Sequence, residues 1–319
     1  MAPSDLKRRS RWLGRYPWRT VLRLGAALVG VMACGWLLAK LWPEPDRVAR
    51  GAPASLDDPS SLAPFPLQPV TVLLVGIDAD QLSDPSNKAA PQGPANADAL
   101  LLLRIAAKEP LQVLQIPVEL AVRLPGRSKP SSLASLWLGG GVSLVNDAIR
   151  EIVGLPDGVP QRYVVMPRRG LRHLVDGLGE VDVILSQSYT SKDKAQGYSV
   201  NLQAGRQRLN GAQAEQLARY RKDAKDDPNR RLRQQVLIQG LMDQIKDPGG
   251  IDVVPGVLKG LDGLIETNLS RSEQLSLAAA VMSSPMPVQM SQLPLAKRVG
   301  EQTLREIKPG QPLPLWPQQ

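Results

Sequence analysis

Val70-Thr71-Val72-Leu73-Leu74-Val75-Gly76-Ile77-Asp78, and beyond a polar loop Asp98-Ala99-Leu100-Leu101-Leu102-Leu103-Arg104-Ile105, decide the fold class. Short apolar runs bounded by Gly, Pro and charges read as buried strands, here Val70–Val75 and Ala99–Ile105. Runs apolar at every position, not at alternate ones, need cover on both faces of a sheet. A third run, Leu111–Ile116, follows the tight break Lys108-Glu109-Pro110, which makes it the antiparallel neighbour of the second. A helix is expected at Val142–Val153, a strand near Tyr163–Met166, a helix near Leu171–Leu178 and a strand at Val181–Leu185. The expected fold class is therefore α/β, a mixed central sheet with helices on both faces.

If the first two strands are also antiparallel, Asp78 closes one and Asp98 opens the other, and both carboxylates sit at one sheet edge. Two such carboxylates, completed by water and a phosphate, suit Mg²⁺, which takes few protein ligands. Turn and strand-end duty is the alternative, since Asp is common at both.

Cations gather later in the chain. In Leu217–Arg221, Arg219 and Arg221 are two apart and would project from one face of a strand. Asp227-Pro228 then opens a helix, with Asp227 as N-cap and Pro228 at the first position. Arg230 and Gln234 share a face of it, and Arg233 neighbours Leu237 similarly. Guanidinium forks near a helix N-terminus favour phosphate or pyrophosphate; a solvated basic helix is the alternative.

The 319 residues carry a net charge of +9, which invites a nucleic-acid reading until the charge is apportioned. Residues 1–42 hold eight Lys/Arg against Asp5, a net of +7, which leaves only +2 for the rest. A phosphate-tracking surface over the body is therefore excluded, and no nucleic-acid partner is expected. One cysteine (Cys34) excludes an intrachain disulfide framework, and one histidine (His173) excludes His-rich metal sites. His173 reads as structural, and a hydroxyl-activating base is expected among the carboxylates.

The basic arm, residues 1–20, precedes an apolar stretch at 21–42 whose Arg23 and Lys40 lie near its ends. That length spans about one hydrocarbon core, so a single transmembrane helix is expected. No small-residue cleavage site follows it, which favours an uncleaved anchor over a signal peptide. The positive-inside rule places the N-terminus in the cytoplasm and the main domain outside the plasma (inner) membrane. Residues 43–69 hold seven prolines and read as an extended tether. The catalytic domain is expected at 70–245, and 246–319 as a helical extension around Ser270–Val281 with a Pro-rich tail.

Leu74-Val75-Gly76-Ile77-Asp78, Asn96-Ala97-Asp98, Ile116-Pro117 and Leu136-Trp137-Leu138-Gly139-Gly140 occur here in a telling order. They are followed by Leu174–Asp182, Leu209–Ala214, Arg219-Tyr220-Arg221 and Asp227 to Gln235. In order and spacing, residues 70–245 resemble the LytR-CpsA-Psr (LCP) family of envelope glycopolymer transferases. The resemblance implies transfer of a glycopolymer from a polyprenyl-pyrophosphate carrier to a peptidoglycan hydroxyl, with Mg²⁺ or Mn²⁺. It implies metal binding by Asp78 and Asp98, and pyrophosphate binding by Arg219 and Arg221 with Asp227, Arg230, Arg233 and Gln234. A lipid tunnel is implied as well.

The chain departs from the family at several cations. Asn96 stands where an arginine is usual, Pro117-Val118-Glu119 where Pro-Arg-Asp is usual, Ser132 for a lysine and Asp80 for an arginine. Arg104, Arg123 and Arg127 are the candidates to replace them in space. These departures leave a second function open, a homologue that binds polyprenyl phosphate or glycopolymer without turnover.

Overall fold

A computed structural model of the chain describes residues 29, 31–32 and 58–316, apart from 88–92, 194–197, 224, 248 and 301. The transmembrane helix expected at 21–42 lies outside the described residues except at Val29, Val31 and Met32, which are helical and exposed. No helix among the described residues is long and apolar enough to cross a membrane. Residues Asp46–Gln319 form one compact unit, which holds the sheet and its helices.

Its strands are β1 (Val70–Ile77), β2 (Ser86–Asn87), β3 (Gly93–Pro94), β4 (Ala97–Ile105), β5 (Gln112–Ile116), β6 (Ala121–Val122), β7 (Ser131–Ser132) and β8 (Arg162–Met166). There follow β9 (Val181–Leu185), β10 (Tyr189–Asp193), β11 (Tyr198–Leu202), β12 (Gly205–Leu209), β13 (Glu266–Thr267) and β14 (Gln289–Gln292). The helices are α1 (Leu136–Val153), α2 (Arg168–Gly177), α3 (Gly211–Arg219), α4 (Asp227–Ile245), α5 (Gly250–Gly260) and α6 (Arg271–Met282). The main sheet is six-stranded and mixed, in the order β13-β8-β1-β4-β5-β14. β1 pairs antiparallel with β4 and parallel with β8, and β4 pairs antiparallel with β5.

Alternate side chains of these strands enter opposite cores, which is why the runs are apolar throughout. Leu73, Val75, Leu100, Leu102 and Leu114 pack with Val145 and Ile149 of α1. Val72, Leu101 and Val113 pack on the other face with Met242 of α4 and Leu277 of α6. Each fully buried leucine among them stabilises the fold by roughly 1.5–3 kcal/mol. A smaller core lies beneath the β9–β12 and β10–β11 pairs, where Leu209, Ala214 and Leu217 are fully buried.

Several local expectations need correction. The helix expected at Val142–Val153 is present as the second segment of α1, and what the expectation lacked is the first segment, from Leu136, set off by a break at Gly140 and Gly141. Gly141 has φ 59°, and a Cβ on Gly140 would lie 2.6 Å from Leu144 Cβ, so glycine is required at both. Arg219 does not lie on a strand with Arg221. It ends α3, and the chain turns at Tyr220 (φ −50°, ψ 132°) before Arg221. Asp227 is the first residue of α4 and not its N-cap, a position taken by Asp226.

The tether and the C-terminal extension also engage the body. Pro59–Ser61 form a short 3-10 helix, Phe65 packs into the core, and Ser276 of α6 donates a hydrogen bond to the Pro64 carbonyl (2.6 Å). Beyond residue 245, β13 and β14 occupy the two edges of the main sheet.

Candidate functional site

The antiparallel β1/β4 register brings the two sequence-distant aspartates to one edge. A bulge falls between Gly76 and Ile77, and just past it the chains exchange two hydrogen bonds. The Asp78 N–H donates to the Asn96 carbonyl (3.1 Å), and the Asn96 N–H donates to Asp78 Oδ1 (2.8 Å). This pins the Asp78 carboxylate beside Asp98, as bulges at sheet ends commonly re-aim a side chain.

The arginines arrive on two helices. An Asn210–Gln213 capping box starts α3, with Asn210 Oδ1 accepting from the Gln213 N–H (3.0 Å) and Gln213 Oε1 accepting from the Asn210 N–H (3.1 Å). Gly211 lets that helix lie against α2, since a Cβ there would sit 2.3 Å from the Arg172 carbonyl oxygen. α3 then ends at Arg219, whose Nε lies 3.6 Å from Asp98 Oδ2. From α4, Arg230 Nη1 donates to Asp98 Oδ1 (2.7 Å) while its Nη2 lies 3.0 Å from Asp227 Oδ1. Asp227 Oδ1 also meets Arg221 Nη2 at 2.8 Å. Asp78, Asp98, Arg219, Arg221 and Arg230 thus line one cavity of about 350 Å³.

The electrostatics separate the two aspartates. Burial, reinforced by the neighbouring Asp98 charge, pushes the Asp78 carboxyl up to about 6. Burial also acts against Asp98, but Arg230, Arg219 and Arg221 outweigh it and hold Asp98 below the usual carboxylate range. Among the described residues no group of three or more His, Cys, Asp or Glu could hold a metal ion. Asp78 and Asp98 nevertheless suit a hard divalent cation: one carboxylate disfavours ionisation of the other, and a cation between them relieves that repulsion.

The remaining expected residues divide. Asp227 is a link between Arg221 and Arg230 and does not line the cavity. Arg233 is not brought to it either. Its Nη2 donates to the Tyr220 carbonyl (2.5 Å) and to Asp226 Oδ2 (2.8 Å), and its guanidinium lies 5.2 and 5.0 Å from the Tyr189 and Tyr220 ring centres. Arg233 therefore clamps the turn that carries Arg221. Gln234 donates to the Ala218 carbonyl (3.2 Å) and accepts from Gln115 Nε2 (3.3 Å), tying α4 to α3 and β5.

Of the departures, Asn96, Val118 and Ser132 line the cavity. Glu119 is withdrawn into a buried pair, both its oxygens accepting from Arg231 Nη1 (2.8 and 2.9 Å). None of Arg104, Arg123 and Arg127 lines the cavity, and Arg104 pairs with Glu109 near the far end of β4. Asp80 meets two arginines of α2, Arg168 (2.9 Å) and Arg172 (2.5 Å). Arg168 also lies 3.0 Å from Glu215, a buried carboxylate one turn before Arg219 and missed in the sequence reading. The Glu215–Arg219 spacing of four was the available signal; nothing local pointed to Arg168. His173 packs against Gly260 of α5, where a Cβ would lie 2.2 Å from His173 Nε2.

An apolar cavity of about 150 Å³ shares Asp98 and Arg219 with the polar one and is walled by Leu74, Leu101, Leu171 and Leu237. A second, of about 270 Å³, shares Leu74, Met166 and Leu174 with the first and reaches Leu261 and Leu277. The polar cavity thus backs onto apolar space.

A stability test follows from the Asp78 environment. Because its folded pKa lies above the ordinary 3.8, ionising Asp78 costs stability as pH rises through about 6. Asp78→Asn, which keeps the oxygen that accepts from Asn96, is expected to raise Tm at pH 7.5. The gain should vanish near pH 4, where the native aspartate is protonated in the folded state. Melts at the two pH values check this, and a lower Tm at pH 7.5 would refute it.

The LytR_cpsA_psr family profile matches residues 52–307. Among curated proteins, the chain is 25% identical over 227 residues to "Polyisoprenyl-teichoic acid--peptidoglycan teichoic acid transferase TagU" of Enterococcus faecalis, covering 71% of this chain and 70% of that protein. It spans 64% of the same-named protein of Bacillus cereus, at 23% identity over 212 residues and 66% of this chain. Among solved structures, Bacillus subtilis TagV superposes with a TM-score of 0.60 at 19% identity, over 75% of this chain and 90% of that one. At that identity the likeness concerns the fold alone.

Proposed function

Because the chain belongs to the LytR_cpsA_psr family, we propose that it transfers a glycopolymer from a polyprenyl-pyrophosphate carrier to a peptidoglycan hydroxyl. In this reading residues 21–42 anchor it as a single-pass protein of the plasma membrane, with the N-terminus cytoplasmic and the body extracytoplasmic. The observation that carries the proposal is that Asp98 and Arg219 wall both the polar cavity and the adjoining apolar one. A ligand with an anionic head and a hydrocarbon tail fits that junction, and a soluble sugar phosphate does not need it.

The roles follow from the charges. Arg219, Arg221 and Arg230 take the pyrophosphate, and they are already oriented by carboxylates before it arrives, which lowers the reorganisation needed in the reaction. The acceptor oxygen forms a bond to the phosphorus that carries the glycan, the anhydride P–O bond breaks, and polyprenyl phosphate departs. The hydroxyl proton would pass through water to a carboxylate of the cavity wall, Asp78 or Asp98. Asp78 and Asp98 would hold Mg²⁺ or Mn²⁺, which would supply positive charge to the phosphate oxygens.

Charge balance strengthens the metal expectation. Each of the three arginines already has an acidic partner, so a pyrophosphate entering alone adds uncompensated negative charge. Transfer from a lipid-pyrophosphate oligosaccharide to peptidoglycan, assayed with the full-length protein in membranes, is expected to fall to background in EDTA and to return with Mg²⁺. Transfer that is indifferent to EDTA would remove the metal from the proposal.

Asn96, Val118 and Ser132 on the cavity wall favour one competing reading, a binding protein without turnover. Mass spectrometry of lipids extracted from the purified protein separates the two when paired with the transfer assay. Bound polyprenyl phosphate with no product from any acceptor supports the competitor.

A further inference from the structure

Glu215 sits on α3 one turn before Arg219, and its side chain is about nineteen-twentieths buried at 6% exposure. Three guanidiniums close on it: Arg168 Nη1 at 3.0 Å, Arg219 Nη1 at 3.3 Å and Arg172 Nε at 3.4 Å. Arg168 and Arg172 also share Asp80, so the α2 arginines form a braced platform beneath the carboxylate. A carboxylate at this depth is expensive unless paired, and here the pairing is more than sufficient. The group it holds toward the cavity is Arg219, the arginine at the junction of the polar and apolar spaces.

We propose that Glu215 is a positioning residue for the anion pocket, fixing the Arg219 guanidinium at the cavity wall, with Arg168 and Arg172 fixing Glu215 in turn. Glu215 does not line the polar cavity and stands instead in the wall of the adjoining apolar one, beside Arg219. The geometry is specific. Arg219 is bidentate in the sense that Nη1 faces Glu215 while Nε faces Asp98, so the plane of the fork is set by two carboxylates on different elements. Release of the Glu215 side leaves a long side chain to rotate about several bonds, and an anion must then order it on binding. The two α2 arginines also bring positive charge near the site on the side where Asp80 stands. The proposal rests on reading the pocket as a pyrophosphate site.

The sign of the effect on anion affinity tests it. A carboxylate acting only as a nearby negative charge repels an anion, so its neutralisation would tighten binding. A positioning carboxylate does the opposite. Titration calorimetry of inorganic pyrophosphate with Mg²⁺, on the full-length protein in detergent, is expected to show Glu215→Gln binding about tenfold more weakly than the native protein. In an Arg219→Gln background the same change is expected to cost nothing further, because the side chain it positions is gone. Tighter or unchanged binding in Glu215→Gln overturns the assignment and leaves the pyrophosphate reading standing. Equal losses in both backgrounds overturn it too, since they mark a general structural role. Absence of pyrophosphate binding by the native protein overturns both.

Should Glu215→Gln fail to fold with three arginines facing one another, the Arg168→Gln/Glu215→Gln double variant removes one charge of each sign. The same tenfold loss is expected there, and native affinity would overturn the proposal.

Discussion

Arg230→Ala is expected to lower stability by about 2–3 kcal/mol, less than the full cost of stranding a buried charge because Asp98 keeps Arg219 and Asp227 keeps Arg221. The Arg230 side chain is only 3% exposed and spans two carboxylates, Asp98 at 2.7 Å and Asp227 at 3.0 Å. Its removal leaves both in low dielectric with less compensation. Native Asp98 is held below its ordinary pKa, so it contributes stability above pH 3.8 that is lost as pH falls through its folded value. Without Arg230, burial gains the upper hand and the Asp98 carboxyl moves upward. The deficit of the variant should therefore narrow between pH 7.5 and pH 4.5, because protonating Asp98 relieves the variant and does nothing for the native protein. Urea melts at the two values measure it. A deficit below about 1 kcal/mol, or one that widens on acidification, would contradict this account. Arg230→Lys should fall between, since an ammonium cannot fork to both carboxylates.

Arg219→Ala is expected to behave in the opposite way, with a smaller loss of stability and a large loss of transfer. Asp98 keeps Arg230, and Glu215 keeps Arg168 and Arg172, so no buried carboxylate is stranded. What disappears is a guanidinium held in place before the phosphate arrives. Loss of one such preorganised donor costs about 10²–10³ in kcat. If Arg219 stabilises the departing phosphate, kcat should carry most of the loss. If it only holds the ground-state lipid head, KM should carry it instead. Transfer within about threefold of native would exclude both roles.

Together these variants separate, within one cluster, the cost to the fold from the cost to transfer. The distinction lies in how closely the remaining partner stands: without Arg230, Asp98 has only Arg219 at 3.6 Å, whereas without Arg219 it keeps Arg230 at 2.7 Å. Arg233 extends it. Read on the sequence as a phosphate contact, it is instead stacked near Tyr189 and Tyr220 and bound to Asp226, so its influence on an anion passes through the turn that carries Arg221.

Some of the site was legible in the chain because its signals are local. Asp78 and Asp98 flank apolar runs, and an antiparallel pair of such runs leaves no choice about which edge they share. The order of the family motifs added the arginines. Asp80 and Arg168 were not legible, and Glu215 showed only its spacing of four from Arg219, because the three come from the loop after β1 and from two helices far apart in sequence and meet only once α2 and α3 have packed. The turn at Tyr220 was missed for a similar reason. Arg219 and Arg221 alternate as strand residues would, but the capping box that commits the preceding segment to a helix lies nine residues before Arg219, at Asn210.

The order of residues alone determined the covered sheet, the layers on its faces, the concentration of positive charge before the apolar segment, and the family. Each of these depends on periodicity, composition or motif order, which survive without knowledge of distance. Tertiary structure alone decided which carboxylate holds which guanidinium, that residues beyond 245 complete both edges of the main sheet, and that polar and apolar cavities meet at Asp98 and Arg219. Coulomb energies and burial depend on separations of a few ångströms, and the chain sets those separations only when its helices close on the sheet.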